Sequence, residues 1–171
     1  MKTQFLNLSK AFFMAIFISM TLTACSSDDS DSPDDDGGSD VEFFARVNDG
    51  QFTPDDVIAI GSVGVNFFSI TATKDNGENV DITIPSVELG TYTATGDTDT
   101  QVISTYRLND TNPALSTYTA MQGSVTITSS EQISSVLRNV KGTFFFTYSR
   151  DDEPQVYEFT EGEFNIDVLY F

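Results

Sequence analysis

Residues 41–171 read as an all-β domain, an antiparallel β-sandwich with a calycin-like β-barrel as the alternative. Three observations carry this. Apolar and polar residues alternate with period two over most of the stretch, which places the apolar side chains on one face of a strand, and helical periodicity is scarce. Asn48-Asp49-Gly50 and Asp75-Asn76-Gly77 separate such runs with residues that tolerate the backbone of a tight turn. The threonine, valine, isoleucine and phenylalanine content suits a pleated, half-buried surface.

In chain order, Val41, Phe43, Ala45 and Val47 share a face, and Gln51-Phe52 begins the return after the first turn. Val57 to Ile60 is a short apolar run whose inward face the alternation does not assign. Phe68, Ile70 and Ala72 share a face, as do Val80, Ile82 and Ile84 until Pro85, which lacks the N–H a ladder needs, stops the pairing. Leu89 to Ala94 reads as a strand, and Val102, Ser104, Tyr106 and Leu108 line one side of the next. Ser116 to Met121 and Val125 to Ile127 read as separate short strands, and Ser129 to Leu137 as one helical turn or a loop. Val140, Gly142, Phe144, Phe146 and Tyr148 alternate strictly; Arg150 to Pro154 is a turn; Tyr157 and Phe159 follow. Glu161-Gly162 reads as a further turn before Phe164, Ile166, Val168 and Tyr170.

Ahead of this domain, Lys2 and Lys10 precede an apolar run from Ala11 to Met20, too short to span a bilayer and ordered like a secretory signal. Leu22-Thr23-Ala24-Cys25 closes it and resembles the bacterial lipobox. The resemblance implies cleavage between Ala24 and Cys25 and lipidation of the Cys25 sulfur, so that residues 1–24 form a signal peptide and the partner of the mature chain is a membrane. Each buried CH₂ contributes about 0.8 kcal/mol, and two acyl chains give stable anchoring. Cys25 is the only cysteine, so a lipidated chain has no disulfide and depends on its core.

Residues 25–40 form the lipidated cysteine and a tether; Ser26 to Asp40 holds seven aspartates and cannot offset the entropy of ordering. An acidic run directly after a lipidated cysteine is similar to the surface-export signal of Bacteroidota lipoproteins. That similarity implies the outer face of the outer membrane, with the periplasmic face as the alternative. An EF-hand alignment on Gly37 puts Phe43 where the closing glutamate belongs and fails. The formal net charge of −18 argues against nucleic acid and anionic lipid surfaces as partners.

Within the domain, Leu89-Gly90-Thr91-Tyr92, Gly123-Ser124-Val125-Thr126-Ile127-Thr128, Val140-Lys141-Gly142-Thr143-Phe144-Phe145-Phe146 and Glu161-Gly162-Glu163-Phe164 occur in that order. They resemble the core motifs of a family of small uncharacterised β-domain lipoproteins of Bacteroidota. The resemblance implies a β fold and a surface lipoprotein, and no activity.

Chemistry is thinly represented. With no histidine the usual general base and histidine triads are absent, and no glycine-rich phosphate loop stands between a strand and a helix. Asp55-Asp56, Asp97 with Asp99, and Asp151-Asp152-Glu153 could supply an acid/base pair, although adjacent carboxylates in turns are more often solvated. Asp97 and Asp99 could reach one calcium ion, the single cofactor the sequence suggests. Tyr92, Tyr106, Tyr118, Tyr148 and Tyr157 fall mostly on apolar faces, where core packing outweighs a glycan platform. Lys141 and Glu158 face outward, against a lipid-facing barrel despite the aromatic Tyr170-Phe171 end. The expectation is a non-enzymatic cell-surface lipoprotein presenting binding loops to a glycan or protein ligand. A fimbria-like or adhesin-type subunit assembling through edge strands is the alternative. A glycan hydrolase and a calcium-dependent glycan binder stand behind both, and the oligomeric state is left open.

Overall fold

The computed structural model describes residues 42–62, 67–97, 101–109, 112 and 116–171, all within one compact unit, Ser39–Phe171. Its strands are β1 (Phe43–Val47), β2 (Gly50–Phe52), β3 (Asp56–Ser62), β4 (Phe67–Thr73), β5 (Asn79–Ile84), β6 (Gly90–Ala94), β7 (Ile103–Arg107), β8 (Thr117–Gln132), β9 (Leu137–Arg150) and β10 (Glu153–Tyr170). All belong to a single sheet. The pairing runs β10–β3–β4–β5–β7–β8–β9 and returns to β10, with β2–β1 added on β10 and β6 on β8. The sheet is thus rolled so that opposite walls pack face to face across one core, as the layers of a sandwich do. Every pairing is antiparallel except β10 with β3, which is parallel and only two residues long, Leu169 with Ile60 and Tyr170 with Gly61.

The alternation assigns the faces as expected. Phe43, Ala45, Phe68, Ile70, Ala72, Val80, Ile82, Ile84, Val140, Phe144, Phe146, Phe164, Ile166 and Val168 are all buried, while Lys141 and Glu158 are exposed. Pro85 follows the last residue of β5. In the unassigned run Val57 to Ile60, Ala59 points in and Ile58 out.

Three expectations are corrected. Ser116 to Met121 and Val125 to Ile127 belong to one strand, β8, which also takes in Ser129 to Gln132, so the helical turn or loop expected from Ser129 shrinks to the four residues before Leu137. Glu161-Gly162 is no chain reversal but a bulge inside β10, with Glu161 at φ 50°. A bulge and a turn share the same residue chemistry, a positive φ followed by glycine. Pairing with β9 on both sides of the bulge, Phe159 with Phe146 and Gly162 with Phe144, keeps the strand running. Bulges in β8 between Ala120 and Gln122 and between Ile127 and Ser129 likewise coil the long strands around the core.

Close approach of backbone and ring fixes this curvature. Gly142 lies opposite Phe164 on β10 and Ile127 on β8. A Cβ there would sit 2.5 Å from both the Phe164 ring and the Thr126 carbonyl oxygen. At Gly162 it would sit 2.5 Å from the Phe144 carbonyl oxygen and 2.7 Å from its ring.

One end of the roll, where β4 turns into β5 and β9 into β10, is sealed by tyrosines. Ring centroids of Tyr106 lie 5.1 Å from Tyr157 and 4.9 Å from Phe159, and Tyr118 lies 4.8 Å from Tyr157. The Tyr106 hydroxyl donates to Glu78 (2.7 Å), whose other carboxylate oxygen pairs with Lys74 (3.0 Å). The Tyr118 hydroxyl donates to Glu153, which pairs with Arg150 (2.7 Å). Deeper in, the Tyr148 and Ser104 hydroxyls share a bond of 2.7 Å, and Ser104 donates onward to the Asp81 carbonyl (2.8 Å). Burial followed by the Glu78 bond holds Tyr106 well above the tyrosine range. The Glu153 bond, then burial, does the same for Tyr118, and burial for Tyr148.

Gly142→Ala should therefore destabilise the domain by about 1–3 kcal/mol, since backbone on one side cannot yield. Gly50→Ala, whose new methyl would meet its nearest atom at 3.5 Å, should stay within about 0.5 kcal/mol. Urea midpoints at constant slope measure both. The tyrosines set an alkaline limit. The folded state keeps the proton on enclosed Tyr148 where the unfolded chain loses it, so stability is whole below about pH 10 and falls above it. The slope expected for Tyr148 alone is about 1.4 kcal/mol per pH unit. Urea midpoints against pH, with phenolate absorbance appearing only as the chain unfolds, check the sign; phenolate formed fully in the folded state would contradict it.

Candidate functional site

The opposite end of the roll is open. The ends of β3 and β4 (Ser62, Phe67), the β5–β6 connection (residues 85–88), the β8–β9 connection (Gln132, Ser134, Ser135), the start of β9 (Leu137, Arg138) and the end of β10 (Tyr170) line a cleft of about 350 Å³. That is near the lower end of the range for small-molecule sites.

Alternation along β10 turns Phe164, Ile166 and Val168 inward, and Tyr170 follows them to the edge of the core. Its ring packs against Gly61, where a Cβ would sit 2.6 Å from a ring carbon. The Tyr170 N–H donates to the Val136 carbonyl (2.8 Å), and Phe171 N–H to the Gly61 carbonyl (3.3 Å). The ring is thus held by β3 on one side and by the β8–β9 connection on the other. Its hydroxyl is buried and has no hydrogen-bond partner. Burial raises the phenol above its ordinary pKa, with the positive charge of Arg138 opposing the rise, so the group stays a neutral donor.

Arg138 stands opposite Gln132 on β8 and Val168 on β10. One terminal nitrogen donates to the Ser130 hydroxyl (2.9 Å), and among the described residues the guanidinium makes no ion pair. Ser134 Oγ accepts from the Val136 N–H (3.3 Å) and Ser86 Oγ from the Glu88 N–H (3.1 Å), which tightens both connections and leaves each hydroxyl proton to donate. Tyr92 braces the same wall by donating to the Glu88 carbonyl (3.0 Å). Phe67, Pro85, Val87 and Leu137 supply the apolar lining. Outside the cleft, Leu89, Ile133, Val136, Leu169 and Phe171 are each half exposed or more and flank its lining residues in sequence.

Apart from Tyr92 and Tyr170, the residues singled out from sequence lie elsewhere. Ala24, Cys25 and Asp99 fall outside the described residues. Asp97 accepts a hydrogen bond from the Thr95 hydroxyl, and among the described residues no three metal-ligating side chains converge. Asp55 accepts from the Asp75 N–H (2.7 Å), and Asp152 and Glu153 both pair with Arg150, all at the sealed end. Tyr106, Tyr118 and Tyr148 are core, as expected. The mouth was missed: its one sequence signal was Tyr170, which the alternation placed inward at the chain's end.

No curated protein and no solved structure matches the chain. A family model does, and its match takes in all four of the glycine-containing motifs. Matched over residues 41–166, the chain belongs to the family described as Domain of unknown function (DUF6252).

Proposed function

We propose that the protein is a non-enzymatic lipoprotein of the cell envelope, held by acyl chains on Cys25, whose β-domain binds a ligand at its open mouth. The observation that carries the binding part is the cleft itself. Two connections and several strand ends converge on it, and it combines apolar walls with a guanidinium that makes no ion pair among the described residues and a phenol hydroxyl without a protein partner. The anchoring part rests on Leu22-Thr23-Ala24-Cys25 behind its apolar run. The acidic stretch that follows favours the outer face of the outer membrane.

Assembly through an edge strand has less support. β2 and β6 end the pairing path, but they are three and five residues long, and short edges resist strand addition. The open side of β6 is also partly taken, since the Thr93 carbonyl accepts from the N–H groups of Gln101 (2.8 Å) and Val102 (3.1 Å).

Cells fed an alkynyl fatty acid should label the wild-type protein, and Cys25→Ser should abolish the label; undiminished labelling of the variant defeats the anchoring claim. Protease added to intact cells should release the domain through its acidic tether. Release only after lysis would put the domain on the periplasmic face.

A further inference from the structure

We infer that the mouth is a site for a small organic acid with an apolar body, its carboxylate taken by the Arg138 guanidinium and the Tyr170 hydroxyl. This rests on the binding reading above and gives that reading a ligand class.

The argument starts from the unsatisfied group. Buried polar atoms are nearly always hydrogen-bonded, because leaving one unpaired forfeits its hydration. Among the described residues Tyr170 Oη is the one buried side-chain polar atom without a partner, and Tyr170 is one of the residues that line the cleft, so a ligand reaches the hydroxyl by a small shift of the ring. Its neighbour on the wall, Arg138, spends one donor on Ser130 and makes no ion pair among the described residues. Five further side chains that can donate line the cleft: Ser62, Ser86, Gln132, Ser134 and Ser135. A wall of donors centred on a guanidinium calls for an acceptor with negative charge, and a carboxylate matches the fork of an arginine.

The rest of the lining narrows the class. Glu88 is the only carboxylate among the lining residues, and it disfavours a second negative charge on the ligand. Phe67, Pro85, Val87 and Leu137 give an apolar body somewhere to lie. A monocarboxylate with a hydrocarbon or aromatic remainder fits charge, polarity and size together; a phosphate ester or a sugar uses only part of the wall.

The test uses the full chain in lipid nanodiscs, with empty nanodiscs as blank, and saturation-transfer NMR with phenylacetate against its neutral analogue, phenethyl alcohol. Phenylacetate should bind roughly tenfold more tightly than the alcohol. Arg138→Gln and Tyr170→Phe should each cost about tenfold in its affinity. Lys141→Gln, on the outer face, should leave it unchanged. Because the Tyr170 hydroxyl has no protein partner, Tyr170→Phe should leave the thermal midpoint of the ligand-free protein the same or higher. No saturation transfer to phenylacetate, equal binding of acid and alcohol, or wild-type affinity in either variant overturns the proposal, and so does a lowered midpoint in Tyr170→Phe. Phenylacetate bound without regard to Arg138 and Tyr170 removes this site while leaving a binding domain. Anchoring is read separately by the label on Cys25.

Discussion

The contact of an aromatic ring with a glycine on the neighbouring strand governs this fold. It recurs at four places: Phe146 across from Gly123, Phe164 from Gly142, Phe144 from Gly162 and Tyr170 from Gly61. In each, a Cβ on the glycine would come within 2.4 to 2.7 Å of the ring. The ring occupies the space a side chain would fill, so the strands can bend over it without opening a void. Three of these pairs sit on β8, β9 and β10, the long strands that must coil to bring the sheet back on itself. The fourth sits on the two-residue parallel contact of β10 with β3, where the pairing closes. Aromatic packing then runs on from these rings: Phe43 lies 5.1 Å from Phe144, and Phe52 lies 5.8 Å from Phe159.

The two ends of the roll solve the same problem in opposite ways. A tyrosine at the edge of a core buries its ring and must still place its hydroxyl. At the sealed end Tyr106 and Tyr118 each donate to a carboxylate, and each carboxylate is balanced by a cation close by in sequence. At the mouth, among the described residues, Tyr170 has the buried hydroxyl without an acceptor, and the nearby cation, Arg138, makes no ion pair. Among the described residues, Tyr170 and Arg138 thus lack the paired carboxylate that each tyrosine and cation share at the other end.

What could be read from the chain follows from how local each feature is. Face assignment depends on neighbours one and two residues away, so Phe144, Phe146 and Tyr148 went inward and Lys141 outward without any tertiary information. Glu161-Gly162 was ambiguous because a bulge and a turn demand the same backbone; only the ladder to β9 distinguishes them. Ser129 to Gln132 lacks apolar alternation, and it is held as strand by pairing with Lys141, Val140, Asn139 and Arg138 across the hairpin. The mouth was least legible of all. Its lining comes from five separate segments, brought together by a ring closure that rests on two residue pairs, and none of the segments carries a motif.

The chain's acidity bears on the mouth differently at long and short range. With a formal net charge of −18, the molecule repels anions at a distance. Screening confines that field to about 8 Å at physiological salt, so exposed carboxylates at the sealed end scarcely reach the cleft. At contact, a guanidinium and a carboxylate about 4 Å apart attract by about 4 kcal/mol at an effective dielectric of 20, before desolvation is subtracted. The local pair wins over the distant field for an anion small enough to enter and singly charged. A nucleic acid or another polyanion keeps most of its charge outside the cleft and meets the repulsion in full. An acidic chain is thus compatible with a cleft that carries Arg138, and Glu88, the one carboxylate among the described lining residues, acts against a second negative charge at short range.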